Sequence, residues 1–145
     1  MTAAPALDSV ARRTAQSPPF KQVLQRIAGG DRDILVHGMP APLGAFLLTA
    51  IQRQLNRQIV VVAADENHAE SWRDDLAAIA GVGVVHYFPA WDVGLYDGRS
   101  PDSDVSGLRI EAVARLASGT PTIIVAPAAA LLTPVIPRAA LEHAT

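Results

Sequence analysis

The sequence contains no cysteine, which excludes disulfide bonds, thiolate metal sites and a cysteine nucleophile. It also lacks a strong charge of either sign, since 12 basic residues stand against 14 acidic ones and the net charge is -2. This balance provides no general electrostatic attraction to nucleic acid or to an anionic membrane. No apolar run reaches the roughly 20 residues of a membrane-spanning helix, and residues 1–16 have no signal-peptide pattern. We therefore expect a cytoplasmic protein with no membrane partner.

Half of the 145 residues are hydrophobic, which is enough for one domain with a buried core. Continuous apolar runs, typical of parallel strands covered on both faces, alternate with apolar stripes at helical spacing. This order predicts an α/β fold in which helices flank a parallel sheet. The predicted strands are residues 33–37, 58–64, 82–88 and 122–126. The predicted helices begin at residues 17, 43, 65 and 104, and the last of them should turn Val105, Leu108, Ala112, Val113 and Leu116 inward.

The chain divides into three parts by composition. Residues 1–16 are polar and rich in alanine, and we expect a flexible N-terminus there. Residues 17–133 carry all the predicted elements of the α/β domain. Residues 134–145 hold two prolines and little pattern, so we expect a truncated connection toward a further domain.

The segment between the first predicted strand and the next helix lies where nucleotide-binding proteins carry the phosphate loop G-x-x-x-x-G-K-[ST]. In that motif backbone N–H groups surround the phosphates, the lysine reaches the terminal phosphates and the hydroxyl binds Mg²⁺. Only the first glycine matches here, and two prolines remove backbone donors. The segment is either a degenerate phosphate loop or an ordinary turn, and in both cases we predict no bound cofactor. Its residues are Gly38, Met39, Pro40, Ala41, Pro42, Leu43, Gly44 and Ala45.

Two acidic residues after the second strand, Asp65 and Glu66, resemble the end of a metal-binding Walker B strand. An N-cap at Asp65 and a first-turn acid at Glu66 explain both through the dipole of the following helix, and we favour this interpretation. We predict no metal site elsewhere, because the four histidines fall in different elements and the acidic loop near residue 97 lacks a calcium-binding pattern. No catalytic residue is predicted.

The loop from residue 89 to residue 109 is the most distinctive segment. Trp91 and Tyr96 are two of the seven aromatic residues in the chain. Such a pair either anchors the loop on the sheet edge or presents a surface to a partner, and anchoring is the favoured interpretation.

The residues of this loop match a known family. Phe88-Pro89-Ala90-Trp91-Asp92, Tyr96-Asp97, Ser100-Pro101 and the run from Asp104 to Ile110 follow, without a gap, the pattern P-x-W-[DE]-x-x-P-Y-[DE]-x-x-S-P-x-x-[DE]-I-x-x-x-R-[LI]. This pattern resembles that of the bacterial transcription-repair coupling factors. One departure is Leu95, where the family has proline. The resemblance covers residues 17–140.

The resemblance implies an N-terminal, excinuclease-B-like domain of the P-loop NTPase and helicase type, with a degenerate phosphate loop. The parent family is an ATP-dependent DNA translocase that displaces stalled RNA polymerase and recruits repair proteins. Its ATP, Mg²⁺ and DNA sites, and its docking sites for RNA polymerase and for the damage-recognition ATPase of excision repair (UvrA), belong to other domains.

For this chain the resemblance implies contacts with neighbouring domains of the same parent protein. The residues expected to form the interaction surface are Trp91, Asp92, Tyr96, Ser100, Pro101 and Arg109.

Two other functions are compatible with the sequence. An aberrant phosphate loop would make the chain an ATPase or helicase domain, which saturable Mg²⁺-dependent nucleotide binding would support. An excinuclease-B-like DNA-binding module would use arginines, and salt-sensitive DNA binding would support it, although the net acidity is unfavourable. The candidate arginines are Arg53, Arg57, Arg99, Arg109 and Arg115.

Overall fold

The computed structural model describes residues 5–93, 100, 102–135 and 137. None of the helices in these ranges is long and apolar enough to cross a membrane. The elements, in chain order, are α1 (Pro5–Ala15), α2 (Pro18–Ala28), α3 (Ala41–Leu55), β1 (Ile59–Ala63), α4 (Glu66–Ala80), β2 (Val85–Tyr87), α5 (Ser103–Ala117), β3 (Ile123–Pro127) and α6 (Ala128–Leu131).

The three strands form one parallel sheet in the order β1-β3-β2. Both outer strands align with the same residue of the central strand, since Ile59 and Val85 are each opposite Ile123. All five residues of β3 are buried, as expected for a strand covered on both faces. The predicted α/β fold with a parallel sheet and flanking helices is confirmed.

The two faces of the sheet carry separate parts of the core. Ile123 and Val125 of β3 belong to a large apolar cluster that α3 and α4 complete with side chains such as Leu76. Ile124 and Ala126, which alternate with them along the strand, belong to a smaller cluster completed by α5 and α6. Alternation along one strand therefore divides the core into two layers.

The helix α1 lies within the N-terminal segment for which the sequence predicted no helix. Its Leu7 and Ala11 pack against the larger apolar cluster. The Asp8 carboxylate lies 3.5 Å from Arg12 and 3.6 Å from Arg53, but exposed ion pairs of this kind contribute little. The alanine-rich composition favours a helix, and the two apolar contacts fix its position on α3.

The strand predicted at residues 33–37 is wrong: the structure has no strand there. Ile34 and Val36 instead line a small cavity beside α2, α3 and Trp72, and Leu35 is 85% exposed. A short apolar run indicates burial but does not specify a neighbouring strand. Among the described residues no strand pairs with this segment. The third predicted strand is also shorter than expected, because residues 82–84 form a turn after Gly81.

The start of α4 agrees with the interpretation of Asp65 as a helix cap. The His68 backbone N–H donates to Asp65 Oδ1 at 2.9 Å, and the His68 ring nitrogen lies 2.8 Å from both carboxylate oxygens. The hydrogen bond from His68 lowers the pKa of Asp65. Ser17 stands at the N-cap position of α2, but its hydroxyl donates to the Thr14 carbonyl instead of capping the helix.

Candidate interaction site

The loop that follows β2 is fastened to α5 by an arginine that lies inside the protein. Arg109 is only 4% exposed, and it shares the inward side of α5 with Ala112 and Val113. Leu108, which the sequence placed inward, is 41% exposed instead. The helix is therefore rotated so that a charged residue takes a core position.

Two aromatic rings enclose the Arg109 guanidinium. Its central carbon lies 4.0 Å from the centroid of the Phe88 ring and 4.4 Å from the centroid of the Trp91 ring. Both distances are well within the range of a cation–π interaction, which strengthens when water is excluded. The rings therefore stabilise the charge, and the charge in turn fixes the position of Trp91.

The same guanidinium donates hydrogen bonds to two distant segments. Nη1 donates to the Pro89 carbonyl at 2.6 Å, while Nη2 donates to Thr133 Oγ1 at 3.0 Å and to the Pro134 carbonyl at 3.3 Å. None of these acceptors is a carboxylate. Burial lowers the pKa of the Arg109 guanidinium, but an arginine remains charged near neutral pH. Arg109 thus joins the loop after β2 to the segment after α6.

Asp92 has a separate role in the same loop. Both of its carboxylate oxygens accept from the Asp102 backbone N–H at 3.3 Å. The Asp102 side chain in turn accepts from the Asp104 N–H at 2.7 Å and caps α5. Asp92 therefore ties the beginning of the loop to the start of the helix.

The structure brings together only part of the predicted interaction surface. Trp91 and Arg109 are in contact, and Asp92 contacts α5 at another place. Ser100 is exposed, whereas Tyr96 and Pro101 lie outside the described residues, so their role stays a prediction.

Three further residues contribute to this site and were not identified from the sequence. Phe88 stands one residue before the first position of the family pattern, and Thr133 and Pro134 follow α6, more than 20 residues after Arg109. Only the fold brings them together, so no local pattern could have identified them.

An apolar cavity of about 220 Å³ opens beside the Trp91 ring. Ile110 and Val135, which help to line it, are 41% and 52% exposed. Such a surface suits an apolar side chain of a partner. Among the described residues no group of three or more histidine, aspartate and glutamate side chains could hold a metal ion.

The predicted phosphate-loop segment leads directly into α3. Gly44, at the position of the motif's lysine, is buried against α4, and a Cβ added there would lie 2.4 Å from Trp72 Cη2. A cavity of about 550 Å³ beside this segment is lined mostly by apolar side chains, with Arg13 and His37 as the ionisable ones. This lining offers few side chains that could donate hydrogen bonds to a phosphate. The interpretation as a degenerate phosphate loop stays a prediction.

The arginines considered for DNA binding do not form one group. Arg109 is buried, and Arg53 donates to the Ile79 carbonyl at 3.1 Å while pairing with Asp8. Arg57 and Arg115 are exposed, and Arg99 lies outside the described residues.

The fold and this site define an α/β domain in which a buried cation anchors the segment that follows β2. No family model matches the chain. The transcription-repair-coupling factors of Mycobacterium bovis and Mycobacterium tuberculosis are each 31% identical to it over 129 residues, which is 84% of this chain. The chain spans only 10% of the length of these curated relatives. It is thus related in sequence to a small part of a transcription-repair-coupling factor.

Proposed function

We propose that the chain is a non-catalytic N-terminal module of a transcription-repair coupling factor and acts in transcription-coupled nucleotide excision repair. The observation that carries this proposal is the 31% identity to two such factors over 84% of the chain. In this proposal ATP hydrolysis, DNA translocation, displacement of stalled RNA polymerase and recruitment of the damage-recognition ATPase belong to the rest of the parent protein.

The Arg109 site supports a role in domain contacts. Arg109 holds Trp91 in a fixed position, and the apolar cavity beside the ring is lined by the half-exposed Ile110 and Val135. A preorganised surface loses little conformational entropy when a partner packs on it. In our proposal a neighbouring domain of the parent packs on this surface.

The geometry near Gly44 supports the non-catalytic part of the proposal. A lysine at that position would collide with Trp72, and no hydroxyl follows at Ala45. The test is a titration with a fluorescent ATP analogue and Mg²⁺, followed by anisotropy. We expect no saturable binding; micromolar binding that plain ATP competes away would instead favour the ATPase alternative.

The repair function is tested in the cells that encode this chain. Deleting the coding segment should reduce the repair rate of ultraviolet lesions on the transcribed strand to that of the non-transcribed strand. The measurement is strand-specific lesion removal in an actively transcribed gene. Repair that stays faster on the transcribed strand after deletion contradicts the proposal.

Substitutions at Trp91 separate docking from folding in the same assay. Trp91→Ala removes the ring over Arg109, whereas Trp91→Phe retains a ring there and is the matched control. We expect Trp91→Ala to slow transcribed-strand repair more than Trp91→Phe. Melting temperatures of both variants show how much of the effect is a loss of stability. Equal repair and equal melting temperatures would remove Trp91 from the proposal.

A further inference from the structure

The strand β1 forms an edge of the sheet, since the strand order is β1-β3-β2. Within the described residues no strand pairs with its other side. Natural proteins protect such edges with charges, prolines or bulges, because an unpaired strand invites another to join it. The sequence of β1, Ile-Val-Val-Val-Ala, contains none of these protecting residues.

The backbone groups that point away from the sheet are those of the two exposed valines. The Ile59 N–H donates to the Thr122 carbonyl at 2.9 Å, so Ile59 directs its groups toward β3. Direction alternates along a strand, and Val60 and Val62 therefore direct their N–H and C=O groups to the free edge. Their side chains are 48% and 53% exposed, on the face that α5 covers elsewhere.

We propose that a second copy of this chain pairs with β1 in the antiparallel direction, about a twofold axis through Val61. The two sheets would then continue as one sheet of six strands. Val60 of each copy lies opposite Val62 of the other and exchanges backbone hydrogen bonds with it. The four exposed valines form one apolar strip across the junction.

Charge complementarity selects the second copy as the partner and fixes this register. Arg57 precedes β1 and Asp65 follows it, both with exposed side chains. Centring the pairing on Val61 brings Arg57, two residues before β1, and the partner's Asp65, two residues after it, to the same end of the junction. A register centred one residue earlier or later places Arg57 opposite alanine or asparagine and loses both ion pairs.

The junction is short, because β1 has only five residues. An interface well below the roughly 1,000 Å² of a stable complex is expected to be weak and reversible. Dimerisation is therefore concentration-dependent.

Sedimentation equilibrium of the 145-residue chain at increasing concentration tests the proposal. We expect a monomer–dimer equilibrium that Val62→Lys shifts to monomer, because the substitution puts a charge on the edge. Val82→Lys is the matched control, since Val82 is also an exposed valine but lies in the turn before β2. A chain that stays monomeric at every concentration, a dimer that Val62→Lys does not weaken, or assemblies larger than a dimer would overturn the proposal.

Charge reversal tests the register. Arg57→Glu places like charges opposite each other at both ends and should weaken the dimer roughly tenfold. Asp65→Lys should do the same, and an equimolar mixture of the two variants should recover the affinity, because opposite charges then meet again. Asp65→Lys also removes the cap of α4, so circular dichroism must first show that this variant is folded. If it is unfolded, the result for Arg57→Glu alone tests the register. An unchanged dimer with Arg57→Glu overturns the register.

Discussion

Helices α3 and α4 cover one face of the sheet with apolar side chains, whereas α5 closes the other face around a buried guanidinium. On the first face Gly44 allows α3 to approach Trp72 of α4 closely, and Leu76 is fully buried. On the second face Arg109 fills the space between Phe88 and Trp91 and satisfies distant carbonyls. The first face depends on shape and the second on charge, so the two should respond differently to substitution.

The largest effect is expected on the α5 face. Arg109→Ala should lower the free energy of unfolding by roughly 3 kcal/mol, because it leaves buried acceptors unpaired and the two rings without the cation between them. Arg109→Lys should recover little of this, because an ammonium cannot reproduce the planar fork of donors. Urea unfolding measures the free energy of unfolding of both variants. Arg115→Ala, on the exposed side of α5, is the control and should change stability by less than about 0.5 kcal/mol.

Two helical glycines, Gly44 in α3 and Gly107 in α5, should respond with opposite signs. Gly44→Ala should lower stability by roughly 2 kcal/mol, because its Cβ has no room beside Trp72. Gly107→Ala in α5 meets no atom within 4 Å and should raise stability by roughly 0.5–1 kcal/mol through helix propensity. Thermal and urea unfolding give both values. Equal effects would mean that the approach of α3 to α4 is not limited by Gly44.

The start of α4 provides a pH test of the face that α3 and α4 cover. The pKa of Asp65 is lowered in the folded protein, so its contribution is present above the unfolded pKa and is lost as pH falls through the folded one. Asp65→Asn retains a capping side chain but does not titrate. Melting temperatures from pH 7 into the acid range should therefore fall less steeply for Asp65→Asn than for the unaltered chain. Parallel curves of melting temperature against pH would show that Asp65 does not contribute to the loss of stability in acid.

The smallest effect is expected at Asp92. Its bonds to the Asp102 N–H are 3.3 Å long and exposed, so Asp92→Ala should cost less than about 1 kcal/mol. The loop should loosen without loss of the buried cation. Faster proteolysis between residues 92 and 102, with a nearly unchanged melting temperature, is the expected result. A melting temperature as low as that of Arg109→Ala would show that the loop and the cation form one unit.

The sequence predicted most of the helices because their ends carry local signals. Asp65 caps α4 and Gly81 ends it, and both lie where the sequence placed them. The strand predicted from the apolar run at residues 33–37 was wrong, because apolar composition does not distinguish a strand from a segment packed against helices. The interior position of Arg109 could not be predicted, because a charged residue in a helix is expected outside and its partners come from distant segments.

The strand order also has a consequence for how the chain folds during synthesis. β3 is the last strand to be made, yet it is the one that both β1 and β2 pair with. Until residue 127 has left the ribosome, neither β1 nor β2 has its partner, and no part of the sheet can form in advance. A nascent chain that pauses before Ile123 thus leaves the apolar β1 and the shorter β2 unpaired, which is the kind of intermediate that chaperones bind. Translation speed in this short stretch therefore decides how long that exposure lasts.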